Sequence, residues 1–257
     1  MLVTGPRGTD LARNRALWAV VNERFTDAAA DAMWARAEPV WGLFAVPERA
    51  LGVLGDVRGL DVAELACGTA YVSSWLVRAG ARPVALDLST EQLATASRLQ
   101  RTVGPVFPLV QADAEQLPLA GASVDLVVSE HGAAAWCDPR RWLPEAARVL
   151  RPGGRLVFLT NSHLSALCVP DDGGMAGERL LRGYDAAARV AWDGGGEEFH
   201  PSHGAWVGHL RAAGFVVEAL EEVFAPVDGG DHPFYEIVSR EWATRWPVEE
   251  LWVARRP

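Results

Sequence analysis

Between Asp61 and Asp87 the chain reads D-V-A-E-L-A-C-G-T-A-Y-V-S-S-W-L-V-R-A-G-A-R-P-V-A-L-D, and few folds accommodate that run. Asp61 to Cys67 is short, mostly apolar and free of Pro and Gly, as a buried strand requires. Gly68 breaks it. Thr69 stands where it can cap the next element, and Tyr71 to Ala79 repeats apolar residues at helical spacing until Gly80. A second apolar run, Pro83 to Leu88, carries Asp87 at its carboxyl end. The spacing predicts strand, tight turn, helix and parallel strand, the opening unit of an α/β sheet.

That unit is built to recognise a nucleoside. Small residues at Ala66, Gly68 and Ala70 let the backbone approach a ligand closely, and open α/β sheets bind at the carboxyl ends of their strands. Asp87 follows the turn by about 20 residues, the spacing at which an acid accepts from a ribose diol. A pyrophosphate would need a glycine-rich turn on the helix N-terminus, yet only Gly68 remains, flanked by Ala66 and Ala70. Glu64 adds a carboxylate that repels phosphate and suits an ammonium or sulfonium. The expected ligand is a cationic mononucleoside.

E-L-A-C-G-T-A resembles the first motif of class I S-adenosylmethionine-dependent methyltransferases, with alanine at Ala66 and Ala70 where that family has glycine. A-D-A-E-Q-L-P-L, with Asp113, is similar to the family's third motif. S-V-D-L-V-V-S, running into Glu130-His131-Gly132, is similar to its fourth strand, and R-V-L-R-P-G-G to its late turn before the fifth strand. The resemblance is strong from Val62 to Thr160 and weaker elsewhere. It implies a Rossmann-like α/β fold: a seven-stranded sheet of six parallel strands plus one antiparallel strand of an edge hairpin, helices on both faces, and an irregular cap. It further implies a single domain over 1–257, with an N-terminal helical lid (1–56), a cofactor-binding core (57–162) and cap insertions (163–200 and 227–248).

The implied cofactor is S-adenosyl-L-methionine, leaving as S-adenosyl-L-homocysteine. Its implied contacts are Glu64 near the methionine amine, Gly68 with Ala66 and Ala70 beside the methionine, Asp87 with Leu88 at the ribose, Asp113 with Ala114 at the adenine, Glu130 at the transfer end, and Trp41 in the lining of the cofactor pocket. Trp41-Gly42 and Val46-Pro47-Glu48 are similar to the segment that lines this pocket in small-molecule members.

Methyl transfer from a sulfonium needs an in-line nucleophile and at most a base. His131, after the fourth strand, is the leading base candidate; its alternative role is contact with the cofactor. His203, with His200 in F-H-P-S-H-G-A-W, is a second candidate, and helix capping is its alternative. The spacings of His163, His200, His203 and His232 with Glu197 and Glu198 match no metal pattern, so no metal is expected. Cys67, Cys137 and Cys168 form neither a disulfide framework nor a zinc spacing.

A net charge of −9, with 24 basic residues against 33 acidic, argues against nucleic acid as a partner. No apolar run is long enough for a membrane span, and a cytoplasmic location is the default. The expected activity is methylation of a small molecule, such as a natural-product intermediate. Two rivals stand: an NAD(P)-linked oxidoreductase, and a repurposed protein that holds S-adenosylmethionine without transferring its methyl.

Elsewhere the pattern predicts helix from Asp10 to about Arg36 with a break near Thr26, a helix capped by Ser89, a helix from Arg140 to Leu150, and a Pro-Gly-Gly turn before the fifth strand. It also predicts a short helix over Glu178 to Ala188, a helix from His203, a strand from Gly214 to Phe224, and a last strand from Glu250 to Ala254.

Overall fold

A computed structural model describes residues 7–172, 174–192, 196–232 and 237–257. Seven strands form one sheet: β1 (Asp61–Leu65), β2 (Arg82–Asp87), β3 (Leu109–Gln111), β4 (Val124–Glu130), β5 (Leu150–Asn161), β6 (Val216–Val223) and β7 (Glu249–Arg255). Their order across the sheet is β6-β7-β5-β4-β1-β2-β3. Six strands point the same way, and β7 runs antiparallel between β6 and β5. The expected edge hairpin is therefore present, with its reversed strand one place in from the edge.

The chain builds outward from β1 through β2 to β3, then returns to lay β4 on the other side of β1. Strand order reverses between β1 and β4, and a crevice opens there at the carboxyl ends.

The period-two alternation of strands decides which helix goes where. Ala63, Leu65, Val127 and Phe158 face one side, packing against Trp142, Leu143 and Ala146 of α5 (Pro139–Val149) and Trp206 and Leu210 of α6 (His203–Ala212). Val62, Leu126, Val128 and Val157 face the other, against Val72, Trp75 and Leu76 of α3 (Tyr71–Arg78). On that side α4 (Thr90–Thr102) is capped as expected, with Ser89 Oγ accepting from Gln92 N.

The N-terminal helical stretch divides at the predicted break. It comprises α1 (Arg7–Val21), a π-helical turn (Asn22–Thr26) and α2 (Asp27–Ala35). Side chains tie α2 to the core. Trp34 Nε1 donates to the Thr69 carbonyl at 2.8 Å, Trp75 Nε1 to the Met33 carbonyl at 3.1 Å, and Arg78 to the Trp34 carbonyl at 2.7 Å. Trp34 is fully buried and stacks on Phe107.

Three local expectations are corrected. Thr69 does not cap α3: Ala70 occupies that position in the left-handed conformation (φ 58°), with no side-chain cap. Val72, Trp75 and Leu76 pull α3 onto the sheet, and the turn must climb through left-handed residues at Ala66, Gly68 and Ala70 to reach it. The Pro-Gly-Gly segment is not a turn ahead of β5 but a bulge inside it. Val124 pairs with Leu150 and Leu126 with Arg155, so the four residues Arg151–Gly154 stand against Asp125 alone; Gly153 N there donates to the Arg256 carbonyl. Over Glu178 to Ala188 only a 3-10 turn forms, Tyr184–Ala188. Beside it, Arg189–Ala191 pairs with Glu197–Phe199. Among the described residues no helix is long and apolar enough to cross a membrane.

Candidate cofactor and acceptor site

The turn after β1 shapes the site. Ala66, Gly68 and Ala70 all have positive φ, so the backbone winds tightly and brings its amides inward. Several of those amides are already satisfied. Gly68 N donates to Asp87 Oδ2 at 2.7 Å, and Ser73 N to Glu64 at 2.8 Å. Cys67 N and Ala70 N bond to the carbonyls of Leu86 and Cys67. A pyrophosphate would find these four donors taken, two of them by carboxylates.

Above the turn lies a cavity of about 690 Å³, within the range of small-molecule sites. Its floor is the strand ends: Ala66–Thr69, Asp87–Ser89, Ala112–Glu115 and Glu130–Gly132. Its roof is the N-terminal segment, with Asn14 and Trp18 of α1, Ala29 and Met33 of α2, and Gly42, Leu43 and Ala45 beyond it. Arg189, Glu198 and Phe199 of the small hairpin, with Asn161 and His232, close the far end.

Asp87 is buried, and its two oxygens accept from Gly68 N and Ser89 N, each at 2.7 Å. Burial raises its pKa, opposed by the amides of Ser89, Gly68 and Leu88. Each oxygen keeps a further lone pair for a ligand. Asp113 Oδ1 accepts from Glu115 N at 2.8 Å, which fixes the turn after β3. Glu130, at the tip of β4, accepts from Gly42 N at 3.0 Å and from the Tyr71 hydroxyl.

Eight expected site residues line this one cavity: Ala66, Gly68, Asp87, Leu88, Asp113, Ala114, Glu130 and His131. Glu64, Ala70, Trp41 and His203 stand outside its wall. Glu64 lies beneath the turn, 2% exposed, bonded to Ser73 N and Oγ. Burial pushes its pKa up to about 8, despite the Ser73 bonds that oppose it. It is therefore mostly protonated at neutral pH and offers an ammonium little charge. Ala70 is fully buried. Trp41 is buried too, donating to Glu48 at 2.6 Å, and its neighbour Gly42 reaches the cavity instead. His203 Nε2 pairs with Glu250 at 2.9 Å, and the ring lies edge-on to Trp252. His200 is buried, its carbonyl accepting from His163 Nδ1.

Sequence reasoning missed Glu249. It is fully buried, accepts from Leu43 N at 2.9 Å, and contacts His131 Nε2. Burial alone would lower the His131 pKa. The Glu249 bond and charge, with the charges of Glu130 and Glu198, override it and raise the pKa to about 9. The Glu249 contact thus favours the imidazolium form of His131, which suits it to donate a hydrogen bond rather than to take a proton. The one signal for Glu249 was a pair of acids heading the apolar strand E-E-L-W-V-A. Among the described residues, no group of three His, Cys, Asp or Glu side chains is placed to hold a metal.

Residues 63–158 match the family described as a methyltransferase domain. A curated relative, malonyl-acyl-carrier-protein O-methyltransferase of Pectobacterium atrosepticum, is 40% identical over 114 residues, which are 44% of this chain and 43% of that one. The chain thus spans less than half the length of that relative. An S-adenosylmethionine dependent methyltransferase structure from Mesorhizobium loti superposes with a TM-score of 0.61 at 29% identity, covering 84% of this chain and all of that one. The 4+2 cyclase SpnF superposes with a TM-score of 0.65 over 97% of this chain and 96% of its own, a likeness of fold alone at 17% identity.

Proposed function

We propose that this chain, whose residues 63–158 match a methyltransferase domain, is a class I S-adenosylmethionine-dependent methyltransferase that binds S-adenosylmethionine in the strand-end cavity and methylates a small molecule. The observation that carries this reading is the set of carboxylate acceptors in the cavity. Asp87, Asp113 and Glu130 stand at three strand tips on one wall, and four amides of the turn and the start of α3 are bonded within the protein, two of them to acidic side chains.

Asp87 accepts from the ribose hydroxyls through its spare lone pairs. Asp113 and the Ala114 backbone meet the adenine. Gly68 and Ala66 lie against the methionine portion. Glu130, rather than the protonated Glu64, supplies the charge for the methionine ammonium. The cofactor brings a methyl group activated by a positively charged sulfur, so the protein needs no nucleophile of its own. Its residues hold the acceptor in line, exclude water under α1, α2 and the Gly42 turn, and stabilise the acceptor's reacting form. Residues 7–56 are read as the lid, and the described residues of 163–200 and 227–248 as the cap; residues 1–6, 173, 193–195 and 233–236 of the expected lid and cap lie outside the described residues.

Titration calorimetry with S-adenosylmethionine, S-adenosylhomocysteine and NADH tests this. The proposal expects saturable binding of both sulfur ligands and none of NADH. Binding of NADH alone would select the oxidoreductase. Tight S-adenosylmethionine binding, with no labelled methyl released to any small acceptor, would select the repurposed binder.

A further inference from the structure

His131 is held in a way that cofactor binding does not require. It follows β4 directly, with φ at 47°, a left-handed conformation that is strained for a non-glycine residue. Its amide donates to the Leu159 carbonyl at 3.1 Å. Behind it, a Cβ on Gly132 would lie 2.5 Å from the Ala66 carbonyl oxygen, so that neighbour cannot shift. The backbone is over-determined, and the ring sits in the cavity wall.

Glu249 takes Nε2. The same oxygen accepts from Leu43 N in the Gly42 turn, so one buried carboxylate fixes both the ring and the roof beside it. Nδ1 makes no hydrogen bond to any described residue. An imidazolium has two N–H donors and no acceptor; one is used within the protein and the other is left for a ligand.

We propose that the methyl acceptor presents an acidic oxygen, as carboxylate, phenolate or enolate, to His131 Nδ1–H, and that Glu249 is the positioning residue that aims the ring. This rests on the reading of the cavity as a methyl-transfer site. An oxyanion has one lone pair for His131 and another for the methyl carbon. The new O–C bond forms as the C–S bond breaks, and that electron pair returns to sulfur, which becomes neutral. No proton moves, and His131 stays protonated throughout. An ammonium would meet a like charge here, and a neutral amine would have its single lone pair occupied by the N–H. The charges around the ring have other partners: Glu130 meets Gly42 N and Tyr71, Glu198 lies 2.9 Å from His200 Nε2, and His232 feels Glu249 and His131 together.

The test uses the protein saturated with S-adenosylhomocysteine and isotope-labelled at histidine. It is titrated by NMR with benzoate and, separately, with benzylamine. Benzoate should shift the His131 Nδ1 resonance, and benzylamine should not. His131→Asn, chosen because Asn tolerates the left-handed backbone, should weaken benzoate roughly tenfold or more while S-adenosylhomocysteine affinity is unchanged. Glu249→Gln keeps an acceptor for Leu43 N but removes the charge, so the His131 titration midpoint should fall toward that of ordinary imidazole, and benzoate should weaken with it. Preference for benzylamine, or benzoate binding that ignores His131 or both substitutions, overturns the inference and leaves the cofactor site standing. Absence of S-adenosylhomocysteine binding in the unsubstituted protein overturns the reading beneath it.

Discussion

Replacing Asp87 by Asn separates what this side chain does for the fold from what it does for the ligand. Its two oxygens accept from Gly68 N and Ser89 N at 2.7 Å each. An amide keeps one acceptor oxygen but turns an NH2 group toward the other N–H. That loses one charge-assisted bond and leaves a buried donor unsatisfied, about 2–3 kcal/mol. Burial already raises the Asp87 pKa, so removing the charge returns part of that cost, and the net destabilisation is about 1–2 kcal/mol. For a chain of this size each kcal/mol lowers Tm by about 2–4 °C, so scanning calorimetry should show a fall of roughly 2–8 °C. The ribose diol also loses an ionised acceptor, worth about 1–3 kcal/mol, which is roughly 5- to 150-fold in Kd. Titration calorimetry with S-adenosylhomocysteine at saturating folded protein reads that term separately. A lowered Tm with unchanged Kd would make Asp87 a brace for the turn and nothing more. If neither moved, the reasoning about both roles would fail.

Glu64 gives a pH signature. Its folded pKa of about 8 lies above the ordinary 4.5, so the folded state holds the proton more tightly. The stability this contributes is complete below the ordinary value and is lost as pH rises through about 8. Glu64→Gln should abolish that loss, gaining roughly 2–3 kcal/mol over the parent at about pH 9 relative to about pH 6; parallel Tm curves would contradict it. Gly132→Ala should be severe, because its Cβ would meet the Ala66 and Leu65 carbonyls at 2.5 and 2.7 Å; denaturant melts within about 0.5 kcal/mol of the parent would show that the turn can give. Trp34→Phe leaves the Thr69 carbonyl without its donor. It should cost about 1–2 kcal/mol and weaken S-adenosylhomocysteine several-fold in calorimetry, because α2 roofs the cavity; undiminished affinity would detach α2 from ligand binding.

The segments readable in the sequence were those whose pattern is local. The β1 run, the small-residue turn, the α3 spacing and Asp87 lie within 27 consecutive residues, and each element's periodicity is unambiguous. Asp113, Glu130 and His131 were placed because each ends an apolar run. What stayed hidden depends on contacts distant in sequence. Glu64 reads as a site acid until α3 is folded over it and Ser73 N and Oγ both donate to its Oε2. Glu249 is 118 residues from His131, and strand pairing alone brings it there. The Pro-Gly-Gly segment became a bulge because Arg256, at the other end of the chain, bonds it in place. Thr69 looked like a cap because its residue type permits one, but Ala70 takes the cap position in the left-handed conformation.

The most direct measurement is a crystal structure of the protein with S-adenosylhomocysteine. The account predicts ribose hydroxyls on Asp87, adenine beside Asp113 and Ala114, and the amino group at Glu130, with the sulfur directed toward His131. Electron density for the ligand anywhere else, or with its amino end away from Glu130 and its ribose away from Asp87, would contradict it.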